Sequence, residues 1–448
     1  MPASAPTVLS ITLEPISSSM AGPAIRCVEL SKQLATQQQV TVFSPRESDL
    51  TSKQICDSPN FTLVAGTAKG EVYRLARSAD ILFLQPNVLK AYPLLARLDK
   101  YLVVDLYDPI LLSILAQYEG DNTSLNASYN LMHQVLERHM ALADFSICAS
   151  ERQRDYWLGR YCALGRLTPG QYKFDRSFRK LIDVVPFGLS QNKPTRTGTG
   201  MKGTIAEIAQ DDFVLLWGGG IWNWFDPITI IEAVSNLVPK YPRLKLYFLG
   251  VKSPNPEVPL MEMALRAKQR AQELNIYNKH VFFCESWTSY EDRVNYLLDA
   301  DAAVSAHFDL PETRFSFRTR VLDYLWAGLP ILTTCGDQLA DMIAAGMAGE
   351  ALPYENVQAW ASAIARLMEN AELQKKYRQG SSDLGQQFHW SAASKPLLEY
   401  CANPHHLPKY KPVKMPSLVQ RAAAVYSRGG KDLVLRRSKE LLEDVLRR

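Results

Sequence analysis

Three arginines stand at the entrance of a short predicted helix in the second half of the chain: Arg314, Arg318 and Arg320. Cations at the positive N-terminal end of a helix are normally unfavourable, by roughly 0.3 to 1 kcal/mol each. A bound anion would make the same arrangement favourable, because arginine guanidinium groups and exposed helix N–H groups together bind phosphate oxygens. Asp323 could accept hydrogen bonds from ribose hydroxyls, or it could instead pair with Arg320 as an i,i+3 salt bridge. The residue types therefore favour a diphosphate site on this helix.

Two other predicted helix entrances carry residues that let a ligand approach the backbone. The first has Gly22 before Pro23, and its free N–H groups could hold an anion, or the segment could be an ordinary strand-to-helix turn. The second has three glycines, Gly218 to Gly220, which cost backbone entropy and so suggest that something passes close to the chain. Trp222 and Trp224 follow them. They could stack on a ring or fill a domain interface, and we favour the interface.

Short apolar runs alternate with amphipathic stretches of helical length, which predicts parallel sheets with helical crossovers. The runs start at residues 8, 40, 61, 81, 102, 145 and 182 in the first half and at 213, 244, 281, 302 and 330 in the second. The pattern restarts once, after the polar stretch Ser190 to Thr204, which has the composition of a linker. We therefore expect an α/β chain with two Rossmann-like domains at 1–190 and 191–387 and a C-terminal extension at 388–448. Its ligands should bind beyond the carboxyl ends of the strands.

Length and composition agree with this organisation. A chain of 448 residues with 47% hydrophobic content can fill two cores, and a formal net charge of +4 demands no nucleic-acid partner. The seven cysteines are far apart and form no C-x-x-C pair, so we expect neither disulfides nor structural zinc. The sequence has no signal-peptide pattern and no run near the ~18 apolar residues of a membrane span. We therefore expect a cytoplasmic protein.

The last forty residues carry most of the positive charge. From Lys409 to Arg448 there are eleven basic and four acidic residues, a net charge of +7, so the remaining chain carries −3. The segment from Ser417 reads as two amphipathic helices around Gly429 and Gly430, and it could lie on an anionic membrane surface. Alternatively it is a helical tail packed on the protein or on a partner.

The sequence resembles the fourth glycosyltransferase family, whose members use nucleotide sugars, retain the anomeric configuration and have the GT-B fold. Its E-x7-E region places the second Glu five residues before Gly-Leu-Pro, and here Asp323 precedes Gly328, Leu329 and Pro330 by that interval. The resemblance spans roughly residues 8 to 400 and is carried by the blocks GPAIRCVELSKQLA, ADFSICASERQRDYWLG, VVPFGL, LLWGGGIWNWFDPITIIEAV, ETRFSFRTRVLDYLWAGLPILTT and FHWSAASKPLLEY.

Three positions depart from the family pattern. Phe315 occupies the first acidic position of E-x7-E, which in the family contacts the donor sugar, so Glu312 becomes the substitute. Gly220 and Phe225 occupy the positions of the family's diphosphate-binding Arg and Lys. We interpret Arg318 and Arg320 as the compensation for these two missing charges.

The resemblance implies further site residues. Asp108 is the candidate for contact with an acceptor or donor hydroxyl, whereas Asp105 could be a buried helix cap, and the donor base would lie near Cys284, Glu285 and Ser286. The catalytic candidates are Asp108, Glu312, Arg318 and Arg320. The donor-binding candidates are Gly22, Arg26, Gly219, Gly220, Trp222, Glu285, Phe315, Ser316 and Asp323.

The expected reaction is transfer of a sugar from a nucleotide-sugar donor to a saccharide or lipid-linked acceptor with retention, in bacterial cell-surface polysaccharide or glycolipid synthesis. The departing diphosphate would assist deprotonation of the acceptor hydroxyl. The protein would supply charge stabilisation and exclude water. Since arginines would supply the positive charge, we expect no metal and no cofactor. Two alternatives stay open: a sugar-nucleotide epimerase, and a GT-B domain that binds a nucleotide sugar or a partner without turnover.

Overall fold

The chain forms two parallel sheets, one in each half. The computed structural model describes residues 5–18, 20–67, 69–117, 122–250, 261–285, 288–289, 291–408 and 431. The basic tail predicted from Lys409 onward therefore lies outside the described residues, apart from Lys431. No helix in the described ranges has both the length and the apolar character needed to cross a membrane.

The first sheet has seven strands in the order β3-β2-β1-β4-β5-β6-β7. They are β1 (Val8–Ile11), β2 (Val40–Ser44), β3 (Phe61–Ala65), β4 (Ile81–Leu84), β5 (Tyr101–Asp105), β6 (Phe145–Cys148) and β7 (Ile182–Val184). The central strands β1, β4 and β6 are buried along their whole length, as expected for a sheet covered by helices on both faces. Those helices are α1 (Gly22–Leu34), α2 (Ser52–Ile55), α3 (Lys69–Ser78), α4 (Val88–Ala91), α5 (Ile110–Gln117), α6 (Asn122–Leu142), α7 (Glu151–Ala163) and α8 (Pro169–Phe174).

The second sheet has six strands in the order β10-β9-β8-β11-β12-β13. They are β8 (Phe213–Gly218), β9 (Leu244–Leu249), β10 (Val281–Phe283), β11 (Ala302–Ser305), β12 (Ile331–Thr334) and β13 (Gly349–Leu352). Its helices are α9 (Pro227–Leu237), α10 (Glu262–Glu273), α11 (Arg293–Asp299), α12 (Pro311–Phe315), α13 (Thr319–Trp326), α14 (Gln338–Ala345), α15 (Val357–Glu369) and α16 (Ala371–Gly385). The prediction of two Rossmann-like α/β domains is confirmed.

The end of the described chain crosses back to the first domain through α17 (Trp390–Ala393) and α18 (Lys395–Ala402). Tyr400 stacks on Phe145 with ring centroids 4.5 Å apart, and Gln38 donates a hydrogen bond to the carbonyl of Cys401 at 2.6 Å. Beyond the helix, the backbone N–H of Leu407 donates to the Asp144 carboxylate at 3.1 Å. Asp144 and Phe145 lie at the amino end of β6, so the chain leaves the described region at the sheet edge opposite the strands' carboxyl ends.

Candidate functional site

The loops at the carboxyl ends of both sheets meet in a cleft between the domains. From the second domain come the loop after β8, the loop after β11, and the helices α12 and α13. The short helix α12 packs against α5 and α7 of the first domain. The loops after β8 and β11 are tied together, because the backbone N–H of Asp226 donates to the carbonyl of Ala306 at 3.0 Å. Residues from both sheets therefore surround this one space.

A buried ion pair fixes the entrance of α13. Glu312 is 3% exposed, and its carboxylate accepts two hydrogen bonds from Arg318, at 3.0 Å from Nη1 and 2.6 Å from Nη2. Ser316 donates a further hydrogen bond to the same carboxylate. Such a fork-to-fork geometry holds both side chains in one rotamer. Glu312 is therefore committed to Arg318 and Ser316, and its most direct effect is to orient the Arg318 guanidinium.

The ring of Phe225 lies at the centre of the arginine cluster. The guanidinium carbon of Arg318 is 5.0 Å from the ring centroid, and that of Arg320 is 4.2 Å from it. Arg320 also lies 4.8 Å from the ring centroid of Trp217 and donates a hydrogen bond to the carbonyl of Gly220 at 2.6 Å. Arg320 therefore contacts both positions, Gly220 and Phe225, at which the chain departs from the family pattern.

Several N–H groups beside Phe225 are buried without a hydrogen-bond acceptor. They are Arg318 Nε, Arg320 Nη1 and Trp224 Nε1, among the residues that the structure describes. A buried donor without an acceptor costs roughly 1–3 kcal/mol, and more when the group is charged. Burial lowers the pKa of Arg320 to about 10, and the charge of the neighbouring Arg318 acts in the same direction. An anionic ligand would supply the missing acceptors and the missing negative charge.

Asp108 lies on the first-domain side of the cleft, after β5. It is partly buried, and Ser113 donates a hydrogen bond to its Oδ1 at 3.1 Å. Burial raises the pKa of Asp108 to about 6, and the Glu312 carboxylate adds to the shift. The carboxyl group of Asp108 therefore changes its charge at a higher pH than an ordinary aspartate does.

A second buried pair supports the cluster from inside the domain. His307 is fully buried, with Nε2 3.3 Å from Oδ2 of Asp337, and its ring centroid is 6.4 Å from that of Phe225. Asp337 also caps α14 by accepting from the backbone N–H of Ala340 at 2.8 Å. Burial lowers the pKa of His307. Nothing in the sequence marks His307 as functional, because neither its burial nor the approach of Asp337, thirty residues later, follows from spacing.

Asp323 pairs with a residue of another helix. Arg293 of α11 donates to Asp323 Oδ1 at 3.0 Å, whereas the guanidinium of Arg320 points to Gly220. The i,i+3 salt bridge considered from the sequence is thus replaced by a longer-range pair. With its side chain 29% exposed, Asp323 retains access to solvent on one side. Its role as the ribose acid stays a prediction.

The other predicted donor-binding residues are spread around the cleft. Gly219 has a φ of +99°, and a Cβ added there would meet nothing within 4 Å. At the first turn of α1, an added Cβ on Gly22 would be equally free.

Trp222 stacks on Trp224 with ring centroids 5.3 Å apart. Phe315 packs on Tyr156 of α7 at 5.2 Å, so the position of the absent sugar acid is an aromatic contact between the domains.

Two of the predicted residues have other partners. The Arg26 guanidinium is buried and donates to both carboxylate oxygens of Asp105, at 2.7 and 3.1 Å, and to the carbonyls of Val185 and Pro186. The geometry thus gives Arg26 a structural role and makes Asp105 its ion-pair partner. Glu285 is exposed and pairs with Lys268. A donor contact by either residue stays a prediction, and Ser286 lies outside the described residues.

Comparison with known proteins supports the same assignment of the second domain. Residues 207–383 match the family model described as "Glycosyl transferases group 1". No curated protein sequence matches the chain at a significant level.

Solved structures resemble the whole two-domain arrangement at low sequence identity. Sucrose-phosphate synthase from Thermosynechococcus elongatus superposes with a TM-score of 0.62 at 14% identity, over 88% of this chain and 98% of that chain. A glycosyltransferase from Rickettsia africae gives 0.61 at 15% identity, over 89% and 98%. Anabaena HepE in complex with UDP-glucose gives 0.61 at 14% identity, over 88% and 98%. The chain therefore has the GT-B fold, and its residues 207–383 are similar to the group 1 glycosyltransferase domain.

Proposed function

We propose that this protein is a glycosyltransferase that moves a sugar from a nucleotide-sugar donor to an acceptor hydroxyl with retention of the anomeric configuration. The observation that carries the proposal is the pair of arginines around Phe225, which offer buried N–H groups without acceptors beside the glycine loop after β8. The match of residues 207–383 to the group 1 model supports the same reaction. So does the GT-B neighbour whose structure contains UDP-glucose.

In this proposal the donor diphosphate lies against Arg320, Arg318 and the backbone at Gly219. Arg320 provides the larger part of the charge, because the charge of Arg318 is partly neutralised by Glu312. As the bond between sugar and diphosphate breaks, negative charge grows on the diphosphate oxygens, and donors already held in place stabilise it without reorganisation. No protein nucleophile is needed, since the departing diphosphate accepts the proton of the acceptor hydroxyl while Asp108 orients that hydroxyl.

The acceptor and the cellular role are also part of the proposal. An acceptor saccharide or lipid-linked saccharide would enter from the first-domain side, past Asp108. The proposed setting is bacterial polysaccharide or glycolipid synthesis in the cytoplasm or at the inner face of the membrane. No metal ion or cofactor is required by this mechanism, because the arginines provide the positive charge.

A panel of UDP, GDP, ADP and dTDP sugars tests the proposal in two stages. Thermal unfolding with each compound identifies the donor, and product analysis then separates three outcomes: a transferred sugar, an epimerised donor, or binding without turnover. We expect one donor to raise the unfolding temperature and its sugar to be transferred, with the anomeric configuration read by NMR. The proposal fails if the product is an epimer or if no nucleotide sugar binds.

A further inference from the structure

A second surface lies at the opposite edge of the first domain from the cleft. The segment 172–180 contains four basic residues and one acidic residue, interleaved with Tyr172, Phe174 and Phe178. Tyr172 is 52% exposed, and Phe174, at 55%, has the largest exposure among the large hydrophobic side chains of the described residues. The segment precedes β7, so it lies at the amino ends of the strands, whereas the cleft lies at their carboxyl ends.

The exposed aromatic side chains are held in place by their neighbours. Nζ of Lys180 lies 4.1 Å from the centroid of the Phe174 ring, and His405 packs against the same ring at 5.6 Å. Tyr172 contacts Phe178 at 5.9 Å. Phe178 has a φ of +56°, a left-handed conformation that is strained for a bulky side chain. These contacts leave about half of each ring, Tyr172 and Phe174, exposed to water.

Lys173 and Arg176 are exposed and form no ion pair with any described residue, whereas the charge of Lys180 acts on the nearby Asp175 carboxylate. Arg179 differs, because it pairs with Glu151 at 2.7 Å and with Asp183. The segment therefore presents exposed aromatic rings next to exposed positive charges. A partner that binds both must have negative charge at its surface and apolar groups beneath that surface. The interface of an anionic bilayer has this layering.

The chain leaves the described region beside these residues. His405 touches Phe174, and the sequence that follows Pro408 carries the net charge of +7. Because like charges repel, the charge of this sequence cannot compensate that of the segment 172–180. An extended anionic surface can neutralise both.

We propose that Tyr172, Lys173, Phe174, Arg176 and Lys180 form a docking surface for an anionic lipid bilayer. This aromatic–basic patch anchors the protein by the edge of the first domain that faces away from the cleft. It therefore acts as an attachment site and does not itself deliver an acceptor. The proposal is independent of the transfer reaction, since it concerns binding and uses no residue of the cleft.

Vesicle binding by the full chain tests the patch. One variant reverses two charges (Lys173→Glu with Arg176→Glu), and a second removes the rings (Tyr172→Ser with Phe174→Ser). The matched controls lie in the second domain: Lys375→Glu with Lys376→Glu, which reverses two exposed charges, and Leu265→Ser, which replaces a side chain 52% exposed. Circular dichroism and thermal unfolding establish that each variant is folded.

We expect the wild-type chain to bind vesicles of phosphatidylglycerol and phosphatidylcholine, and to bind pure phosphatidylcholine much less. Each basic residue at an anionic surface contributes ~1 kcal/mol, or about fivefold in affinity, so the charge-reversed variant should lose at least tenfold. The ring variant should lose severalfold, and the two controls less than twofold. Soluble polyglutamate serves as an anion without an apolar interior, and its binding should not depend on the rings.

Three results would overturn the proposal. The wild-type chain could fail to bind anionic vesicles. The patch variants could bind as tightly as wild type, which would assign any membrane binding to the tail. The ring variant could behave as wild type while the charge-reversed variant loses vesicles and polyglutamate equally, which would indicate an acidic protein partner in place of lipid.

Discussion

Arg320 has the charge in the cleft that is least compensated by the protein. Its guanidinium reaches the Gly220 carbonyl and the Phe225 ring and leaves Nη1 without an acceptor. We expect Arg320→Ala to lower kcat by about a hundredfold or more, the scale of one lost transition-state donor. Arg314→Ala is the matched control, because Arg314 lies in the same segment but is exposed, and it should cost less than threefold. Steady-state kinetics on the two variants test this prediction. An equal loss of kcat in both would show that Arg320 does not bind the diphosphate.

A second prediction at the residue scale concerns Asp108 and the pH dependence of stability and of the transfer rate. Its pKa is raised from 3.8 to about 6, so its ionised form is disfavoured in the folded protein. The stability of the wild-type protein therefore falls as pH rises from about 4 to about 6, relative to a variant that cannot ionise. We expect Asp108→Asn to unfold at the same temperature as wild type at pH 4 and at a higher temperature at pH 8, while its transfer rate at pH 8 falls.

Thermal unfolding across this pH range, together with rates at pH 8, checks both parts. Asp57→Asn is a suitable control, since Asp57 belongs to the same domain but its side chain is exposed. Asp108→Asn with normal activity and no pH-dependent gain in stability would contradict the assigned environment of this carboxyl group.

At the element scale, the crossover helices depend on one close approach. A Cβ added at Gly188 would lie 2.3 Å from the ring of Trp390, so the contact between the loop after β7 and α17 leaves no room for a side chain. We expect Gly188→Ala to lower the free energy of unfolding by ~1–3 kcal/mol, the usual cost of overpacking. The control is Gly159→Ala in the middle of α7, where an added Cβ meets nothing within 4 Å. That variant should be as stable as wild type or more stable by up to ~1 kcal/mol, as measured by denaturant unfolding.

At the scale of the whole molecule, polar contacts join the two domains across the cleft, and we expect the cleft to open and close around the donor. Arg152, at the start of α7, donates to the Gly336 carbonyl and pairs with Asp341 of α14 across the cleft. Gly336 precedes Asp337, so this contact reaches the loop that supports His307. Both members of the pair are partly exposed, at 34% and 60%, and so the interaction is modest and screened by salt.

We expect Arg152→Glu to favour the open form and to raise the donor KM about fivefold, which corresponds to ~1 kcal/mol. The double variant Arg152→Glu with Asp341→Arg should recover most of this loss. Arg77→Glu, the same change of charge at an exposed residue of α3, should have little effect. Small-angle scattering and KM measured at two salt concentrations test the closure. If the double variant does not recover the donor KM, the pair of Arg152 and Asp341 does not control closure of the cleft.

The sequence by itself determined the fold class, because apolar runs of strand length separated by helical periods leave few arrangements other than two parallel sheets. It missed β13, because Gly349–Leu352 contains Glu350 and lacks an apolar run. It also indicated that Arg318 and Arg320 lie at a helix entrance in the cleft, from their excess of positive charge. Only the tertiary structure decided what these arginines contact: Arg318 pairs with Glu312, and Arg320 contacts Gly220 and Phe225. The same holds for Asp323, which pairs with Arg293. Charge and helical spacing are local properties of the chain, whereas these contacts depend on how loops from different strands meet.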